Sequence, residues 1–315
     1  MNESSFNTPK HTAVIFCCTE VDRSLCYFLD HGYSVSDSID YYIHFNNLNF
    51  DVSKLNKEAR DQGYHNLHFF SSSNTGYDFG GWSRVLFSTY NSYEKQIKDV
   101  YDYYIFLNAS CTGPFLPVYH QTRHWTEIFI GLTNDKILLS GATINDNWRI
   151  APHVQSYCFC LSKKGLDIAI EAGIFRPVIE YSDKTMIIEG HEVALSREII
   201  KRGFGIKCLL TMFKDANYAD YKRENIPPFV DVVIPGDKYN STVPPPFWMA
   251  GKDDRGPSFQ YNIHPYEVVF FKSNRGITPS VLESLVYFHN RLLSEPRHSD
   301  ILFKNPNIIK SFLRL

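Results

Sequence analysis

Between Ser71 and Trp82 the chain reads SSSNTGYDFGGW, with glycines and polar side chains crowded together where an apolar run gives way to a helical pattern. Gly76, Gly80 and Gly81 admit positive φ and close backbone approach. Asn74 and Asp78 supply directed hydrogen bonds, and together these are the requirements for gripping a hydroxyl-rich ligand. Tyr77 sits inside the same stretch. A tight strand-to-helix turn accounts for these residues without any ligand. A second acid of interest is Glu192, where a helical pattern running to Arg202 begins. A carboxylate at a helix start is stabilised as the anion, which suits either a base or a simple cap. Glu189 nearby reads as a solvated neighbour.

Commoner site chemistries lack their residues. No GxGxxG follows the first apolar run and no GxxxxGK[ST] occurs, so the usual dinucleotide and P-loop phosphate cradles are missing. His191 and Glu192 begin like a zinc-protease motif, but Leu195 stands where the second histidine belongs. There is no GxSxG nucleophile turn.

The elements that must position these residues are legible as alternating patterns. Thr12 to Cys18 is a short apolar run ending at Thr19 and Glu20, the pattern of a buried parallel strand. A helix through Asp22 to His31, a strand from Ile39 to Asn46, a helix from Val52 to Gln62 and a strand around Leu67 to Phe70 follow. Trp82 to Tyr90 is expected to be helical, and Tyr103 to Leu107 is a fourth strand that stops at Asn108, Ala109 and Ser110. Further strands are expected at Ile137 to Gly141, Ser156 to Ser162 and Ile206 to Leu210, with helices at Lys163 to Gly173 and Glu192 to Arg202. Such alternation argues an α/β fold with a mainly parallel sheet. Ligands of open α/β sheets bind beyond the carboxyl ends of the strands, so Thr19, the Asn74 to Gly81 loop and the Asn108 to Gly113 segment are expected to face one crevice.

Residues 1–210 form this core. From Tyr218 the composition turns irregular and proline-punctuated before a helical pattern from Pro279 to Leu293, so 211–315 reads as an irregular and helical cap on the same structural unit. The terminal pattern from Ile301 to Arg314 reads as a helix packed on its own domain. Its alternative is a basic amphipathic helix in peripheral contact with a membrane.

Bulk properties bound the rest. Lys and Arg number 32 against 34 Asp and Glu, so no global field recruits nucleic acid. Aromatic residues make up 15% of the chain, enough to serve a core or the stacking of sugar faces, and a core is the simpler assignment. Seven cysteines, an odd number without scaffold spacing, read as buried thiols in a reducing, cytoplasmic setting. Cys158 and Cys160 lack the second pair that a zinc site needs. The N-terminus has no secretion-signal pattern, and no apolar run approaches the ~20 residues that span a bilayer.

With three loops assigned to one sheet edge, YYIFLNASCTGPFLP at 103 to 117 is identified as part of a known arrangement. The chain resembles glycosyltransferases of the rhamnan-synthesis type. These carry an N-x-G-x-D-x-G loop, a strand ending in N-[DS]-S followed by G-P-F, and a histidine and glutamine ahead of S-Y/M-x-F. Here these are Asn74, Gly76, Asp78 and Gly80; Asn108 and Ser110; Gly113, Pro114 and Phe115; and His153, Gln155 and Ser156. HEVALSREIIKRGF, with Glu192, and NIHPYEVVFFKSNR, with His264 and Lys272, resemble two later blocks of the family.

The resemblance implies a GT-A-like, Rossmann-type nucleotide-binding fold and transfer of a sugar from a nucleotide donor to a glycan or glycoconjugate hydroxyl, as in polysaccharide biosynthesis. It implies that Thr19 and Glu20 contact the nucleoside, that Asn74, Gly76, Tyr77, Asp78, Gly80 and Gly81 cover the diphosphate and sugar, and that Asn108 and Ser110 lie at the donor. Gly113, His153, Gln155 and Ser156 fall on the acceptor side, His264 and Lys272 on the leaving diphosphate, and Glu192 becomes the base of an inverting reaction. One departure stands out. GT-A enzymes commonly end the fourth strand in D-x-D, which holds a divalent ion, and this chain has Asn108, Ala109 and Ser110 there. No cofactor is therefore assigned, although weak Mg²⁺ or Mn²⁺ binding through Asp78 or His264 stays open. Retaining transfer and a catalytically idle sugar-binding protein are the alternative readings.

Overall fold

The computed structural model describes residues 11–35, 38–89, 95–117, 119, 124–147, 150–214, 218, 230–231, 249–253, 256–260, 264–273, 283–287 and 298–303. The chain opens β1 (Thr12–Cys18), α1 (Arg23–His31), β2 (Ile39–Phe45), α2 (Val52–Asp61), β3 (Leu67–Ser71), α3 (Tyr77–Leu86) and β4 (Tyr103–Asn108). It continues with β5 (Cys111–Thr112), α4 (Thr126–Ile130), β6 (Ile137–Gly141), the hairpin β7 (Ile144–Asn147) and β8 (Ile150–Val154), β9 (Cys158–Ser162) and α5 (Lys163–Glu171). Helix α6 (Lys184–Ile187) passes through a π-helical turn (Ile188–Val193) into α7 (Ala194–Lys201), and β10 (Gly205–Cys208) follows.

Seven of these strands form the central sheet in the order β10-β6-β9-β4-β1-β2-β3. All run parallel except β9, which is antiparallel to both neighbours. Every residue of β1 is buried, as expected of a continuous apolar strand covered by helices on both faces. Each helix start is fixed by a short polar side chain where the sequence supplies one. Asp22 accepts from the Leu25 amide at 2.8 Å, Asp51 from Lys54 at 3.1 Å, Ser162 from Gly165 at 3.2 Å and Asp183 from Met186 at 2.9 Å.

Aromatic residues fill the space between α3 and the sheet. Trp82, fully buried, donates its indole N–H to the Leu107 carbonyl at 3.1 Å and packs edge-on against Phe106 and Phe159. Phe79 extends this cluster to Phe175 and His191. All seven cysteines are free thiols, and all but Cys26 are buried.

Residues beyond 211 add strands where the proline-punctuated sequence predicts irregular chain. β11 (Val230–Asp231), β12 (Met249–Asp253) and β13 (Gly256–Gln260) join the hairpin in a second sheet of order β12-β13-β11-β7-β8. After α8 (Pro265–Val268), β14 (Phe271–Lys272) pairs antiparallel with β5. The bend between them is a γ-turn at Val269, with φ 63° and ψ −50°, closed by the Phe270 amide donating to the Val268 carbonyl at 2.6 Å. This is the strained, rare form of that turn, and a β-branched side chain adds to the strain.

Three expectations need correcting. Helix α3 begins at Tyr77, so Asp78, Gly80 and Gly81 lie in its first turns and the loop ends at Gly76. Glu192 does not start a helix, because the helical run begins at Lys184 and Glu192 falls in its π-helical turn. The strand placed at 156–162 is β9, starting at Cys158 and running against its neighbours. Most of the pattern from 279 to 293 lies outside the described residues, apart from helical 283–287, as does the terminal pattern beyond 303. Among the described residues no helix is long and apolar enough to cross a membrane.

Candidate active site

The parallel topology brings the carboxyl ends of β1, β2, β3 and β4 to one rim, and the sharp entry into α3 occupies it. Gly76 has φ 76°, and a Cβ there would stand 2.8 Å from the Ile179 side chain. Tyr77 follows with φ 49°, left-handed and 36% exposed. At Gly80 an added Cβ would come 1.9 Å from the Thr75 carbonyl, which also accepts from Arg84 at 3.1 Å. These glycines let the protein's own backbone close on itself, folding the turn tightly enough to aim Asp78 into the rim.

Asp78 is partly buried and shares one hydrogen-bond system with the end of β4. The Asn108 side-chain amide donates to its Oδ2 at 2.9 Å, and the Asn108 Oδ1 accepts from both the amide and the hydroxyl of Ser110. Burial raises the Asp78 carboxyl to about 6, the Asn108 donor opposes this, the nearby Glu192 charge adds to it, and the Cys17 thiol and Lys272 oppose it. The site thus brings Asn108, Glu192 and Lys272 within electrostatic or hydrogen-bonding reach of Asp78, with Ser110 bonded in turn to Asn108.

Glu192 is held from across the crevice. Its Oε1 accepts from the Ser156 amide at 3.0 Å. The π-helical turn that carries it is anchored by His191, whose Nδ1 lies 2.7 Å from the Ile174 carbonyl and whose Nε2 lies 2.6 Å from the Tyr181 hydroxyl. Burial lowers the His191 pKa, so the ring serves as a neutral strut there. A widened helical turn of this kind is frequent at functional sites. Tyr157 completes the floor. Its carbonyl accepts from the Asn108 amide at 3.3 Å, and the Lys272 Nζ stands 5.8 Å from its ring centre. Lys272 reaches this point because β14 pairs it opposite Cys111, with Ser273 donating its amide to the Ser110 carbonyl at 2.9 Å.

Other expected site residues fall into separate positions. Thr19 and Glu20 are exposed at the end of β1, where the Thr19 carbonyl accepts from Asn47 at 3.3 Å. Asn74 is exposed on the loop. Gly113 is buried, and a Cβ there would meet the Val269 carbonyl at 2.6 Å, so its space belongs to the γ-turn rather than to a ligand. His153 is buried in β8, while the Gln155 side chain accepts from Thr143 at 2.7 Å. His264 is exposed and caps α8, its Nδ1 accepting from the Tyr266 amide at 3.2 Å.

Like Tyr157, Asp22 and Cys17 carry no local sequence pattern that marks them out. Asp22 caps α1 beside Glu20, and burial raises its carboxyl to about 6. Cys17 lies under Asp78, although within an apolar strand it is indistinguishable from core.

At the D-x-D position the polar side chains are engaged within the protein. Both ends of the Asn108 amide are engaged by Asp78 and Ser110, and His264 serves its own helix. Among the described residues, no three His, Cys, Asp or Glu side chains gather in a metal-ligating arrangement.

A mainly parallel sheet flanked by helices, with Asp78, Glu192 and Lys272 gathered at one edge of it, defines an α/β protein. The family model of rhamnan synthesis protein F matches residues 36–229, and the chain belongs to that family. Asp78, Asn108, Ser156 and Glu192 lie inside the matched span, and Lys272 lies outside it. No match is found among curated proteins. Among solved structures the chain is similar to a WbbM bifunctional glycosyltransferase in its apo form, with 8% identity and a TM-score of 0.31 over 71% of this chain. It spans 44% of the length of that protein.

Proposed function

We propose that the chain transfers a sugar from a nucleotide donor to a hydroxyl of a glycan or glycoconjugate, with inversion at the anomeric carbon, on a GT-A-like scaffold. The observation that carries this reading is the meeting of Asp78, Asn108, Glu192 and Lys272 on one rim. Glycosyl transfer splits charge, because the sugar becomes cationic as the nucleoside diphosphate departs with its negative charge. Acids on one side and a lysine on the other match that separation. Asp78 accepts from hydroxyls of the donor sugar, Lys272 meets the departing diphosphate, and Glu192 takes the proton of the attacking hydroxyl. A base needs a fixed orientation before it needs a tuned pKa, and the Ser156 amide supplies one by holding one oxygen of Glu192 while leaving the other to the acceptor.

Thr19, Glu20 and Asn74, exposed along the rim, are assigned to the nucleoside and donor loop, and Tyr77 offers a ring on which a pyranose face stacks. The test is a panel of nucleotide sugars, beginning with dTDP-rhamnose, UDP-hexoses and GDP-sugars, screened by thermal shift and then by release of nucleoside diphosphate with an acceptor glycan. NMR of the product anomer reads the stereochemistry. A chain that is stabilised by no nucleotide sugar, and that releases no diphosphate from any, overturns the proposal.

A further inference from the structure

Strand β3 ends the central sheet and borders a cleft of about 270 Å³, and none of the described residues lining it is assigned to donor or acceptor. His68 and Phe70, two apart in β3, stand on one face of the sheet with Tyr42, which pairs in register opposite His68. The His68 ring stacks on Tyr42 at 5.1 Å between centres, and Phe70 lies tilted to Tyr42 at 6.0 Å. Tyr42 is itself held, because its hydroxyl bonds that of Tyr101, which donates to Asp40 at 2.5 Å. The floor is therefore a fixed set of rings, with Tyr42 buried and His68 and Phe70 half-buried.

Arg60 stands over this floor from α2, and Thr89 and Ile97 line it from the segment after α3. Arg60 is exposed and makes no ion pair among the described residues. No acid is found among the described lining residues, so one cation sets the charge of the cleft. Burial lowers the His68 pKa, with Asp40 opposing and Arg60 assisting, so the ring is neutral near pH 7 and keeps one N–H and one lone pair for a hydroxyl.

The same edge is closed to a peptide. The Asn56 Nδ2 donates to the Phe69 carbonyl at 2.8 Å, and its Oδ1 accepts from the Phe69 amide at 2.8 Å. This side chain takes the place of a neighbouring strand, so strand addition is blocked at Phe69. What remains is room for a small ring, since the volume lies just below the ~300 Å³ at which drug-sized pockets begin.

We infer that this cleft is a second carbohydrate site, taking a single pyranose that bears a carboxylate or a phosphate. The apolar face of the sugar stacks on Phe70 and His68, and the Arg60 guanidinium forks the anion. The site goes beyond the transfer reaction proposed for the rim and does not depend on it.

The probes are glucuronate, glucose 6-phosphate, glucose and inorganic phosphate, each titrated into the full chain carrying ¹³C-labelled histidine. The His68 ring resonance is assigned by its loss in His68→Asn. Both anionic sugars are expected to move it and to bind about tenfold more tightly than glucose or inorganic phosphate, and the tighter of the two identifies the anion preferred. Arg60→Gln, at an exposed position, is expected to bring their affinity down to that of glucose with Tm unchanged. Phe70→Leu, which keeps an apolar side chain without the flat face, is expected to lower it about fivefold.

No movement of His68 with any probe, equal binding of glucose and the anionic sugars, or binding undiminished in Arg60→Gln overturns the site. Inorganic phosphate bound as tightly as glucose 6-phosphate makes it an ion site and overturns the sugar. Asp78→Asn is expected to leave the titration unchanged, and a loss there would move the ligand to the rim and overturn the inference. A chain that transfers no sugar yet titrates as expected overturns the rim reading alone.

Discussion

Replacing Asp78 by asparagine is expected to remove sugar recognition and to make the protein more stable. The carboxyl sits at about 6 against an ordinary 3.8, chiefly through burial. Because the folded chain holds this proton more tightly than the unfolded chain, the contribution to stability is full below 3.8 and is lost as pH rises through about 6. At pH 7.5 the folded state therefore carries an ionised carboxylate at a cost of about 3 kcal/mol, at ~1.36 kcal/mol per pH unit between the two values.

Asparagine keeps the shape and an acceptor for Asn108 without the charge. Asp78→Asn is thus expected to gain up to about 3 kcal/mol at pH 7.5 and about half of that at pH 5. At about 2 °C of Tm per kcal/mol in a chain of this size, the gain is several degrees and is readily seen in parallel melts at the two pH values. Binding of a nucleotide sugar, compared with its free diphosphate, is expected to lose its sugar-dependent part. A variant less stable than wild type by the same margin at both pH values would refute the reasoning, since it would make Asp78 an ordinary structural acid.

Glu192→Gln keeps an oxygen for the Ser156 amide but no base, and is expected to lower kcat by ~10² with donor affinity retained, as read by steady-state kinetics beside calorimetry. Lys272→Met should weaken binding of nucleoside diphosphates about tenfold or more and leave the bare nucleoside unaffected, so equal losses for both ligands would count against its role. Tyr77→Gly relieves a left-handed tyrosine worth about 1 kcal/mol and should hold or raise Tm while lowering kcat/KM, whereas a marked drop in Tm would make the ring a packing element. Gly80→Ala forces a Cβ to 1.9 Å from the Thr75 carbonyl and is expected to cost more than about 3 kcal/mol in urea denaturation.

Much of the central sheet was legible because β1, β2 and β4 are apolar runs buried on both faces, which period alone reveals. The hairpin was not. INDN and IAPHV lack both an apolar run and clean alternation, and Pro152 argues against a central strand. Helix α3 was read too late because the glycines inside it look like loop, and their need arises only from Thr75, Cys17 and His44, which no local pattern places nearby. At the candidate site, residue blocks single out Asp78, Asn108 and Glu192, which the fold brings close together. Asp22 was hidden by its capping role, Cys17 by its apolar neighbours and Tyr157 by the abundance of aromatic residues.

The γ-turn at Val269 bears on how the crevice is completed. The lysine beside the acids is delivered by a two-residue strand clipped to β5, and Thr112 meets Ser273 across a sequence separation of 161 residues. Closing so long a loop costs more chain entropy than pairing neighbouring strands, so this clip is entropically the more expensive contact of the two. A chain stopped short of this clip keeps the central strands of the sheet and its acids, Asp78 and Glu192, but loses the lysine that β14 sets beside them.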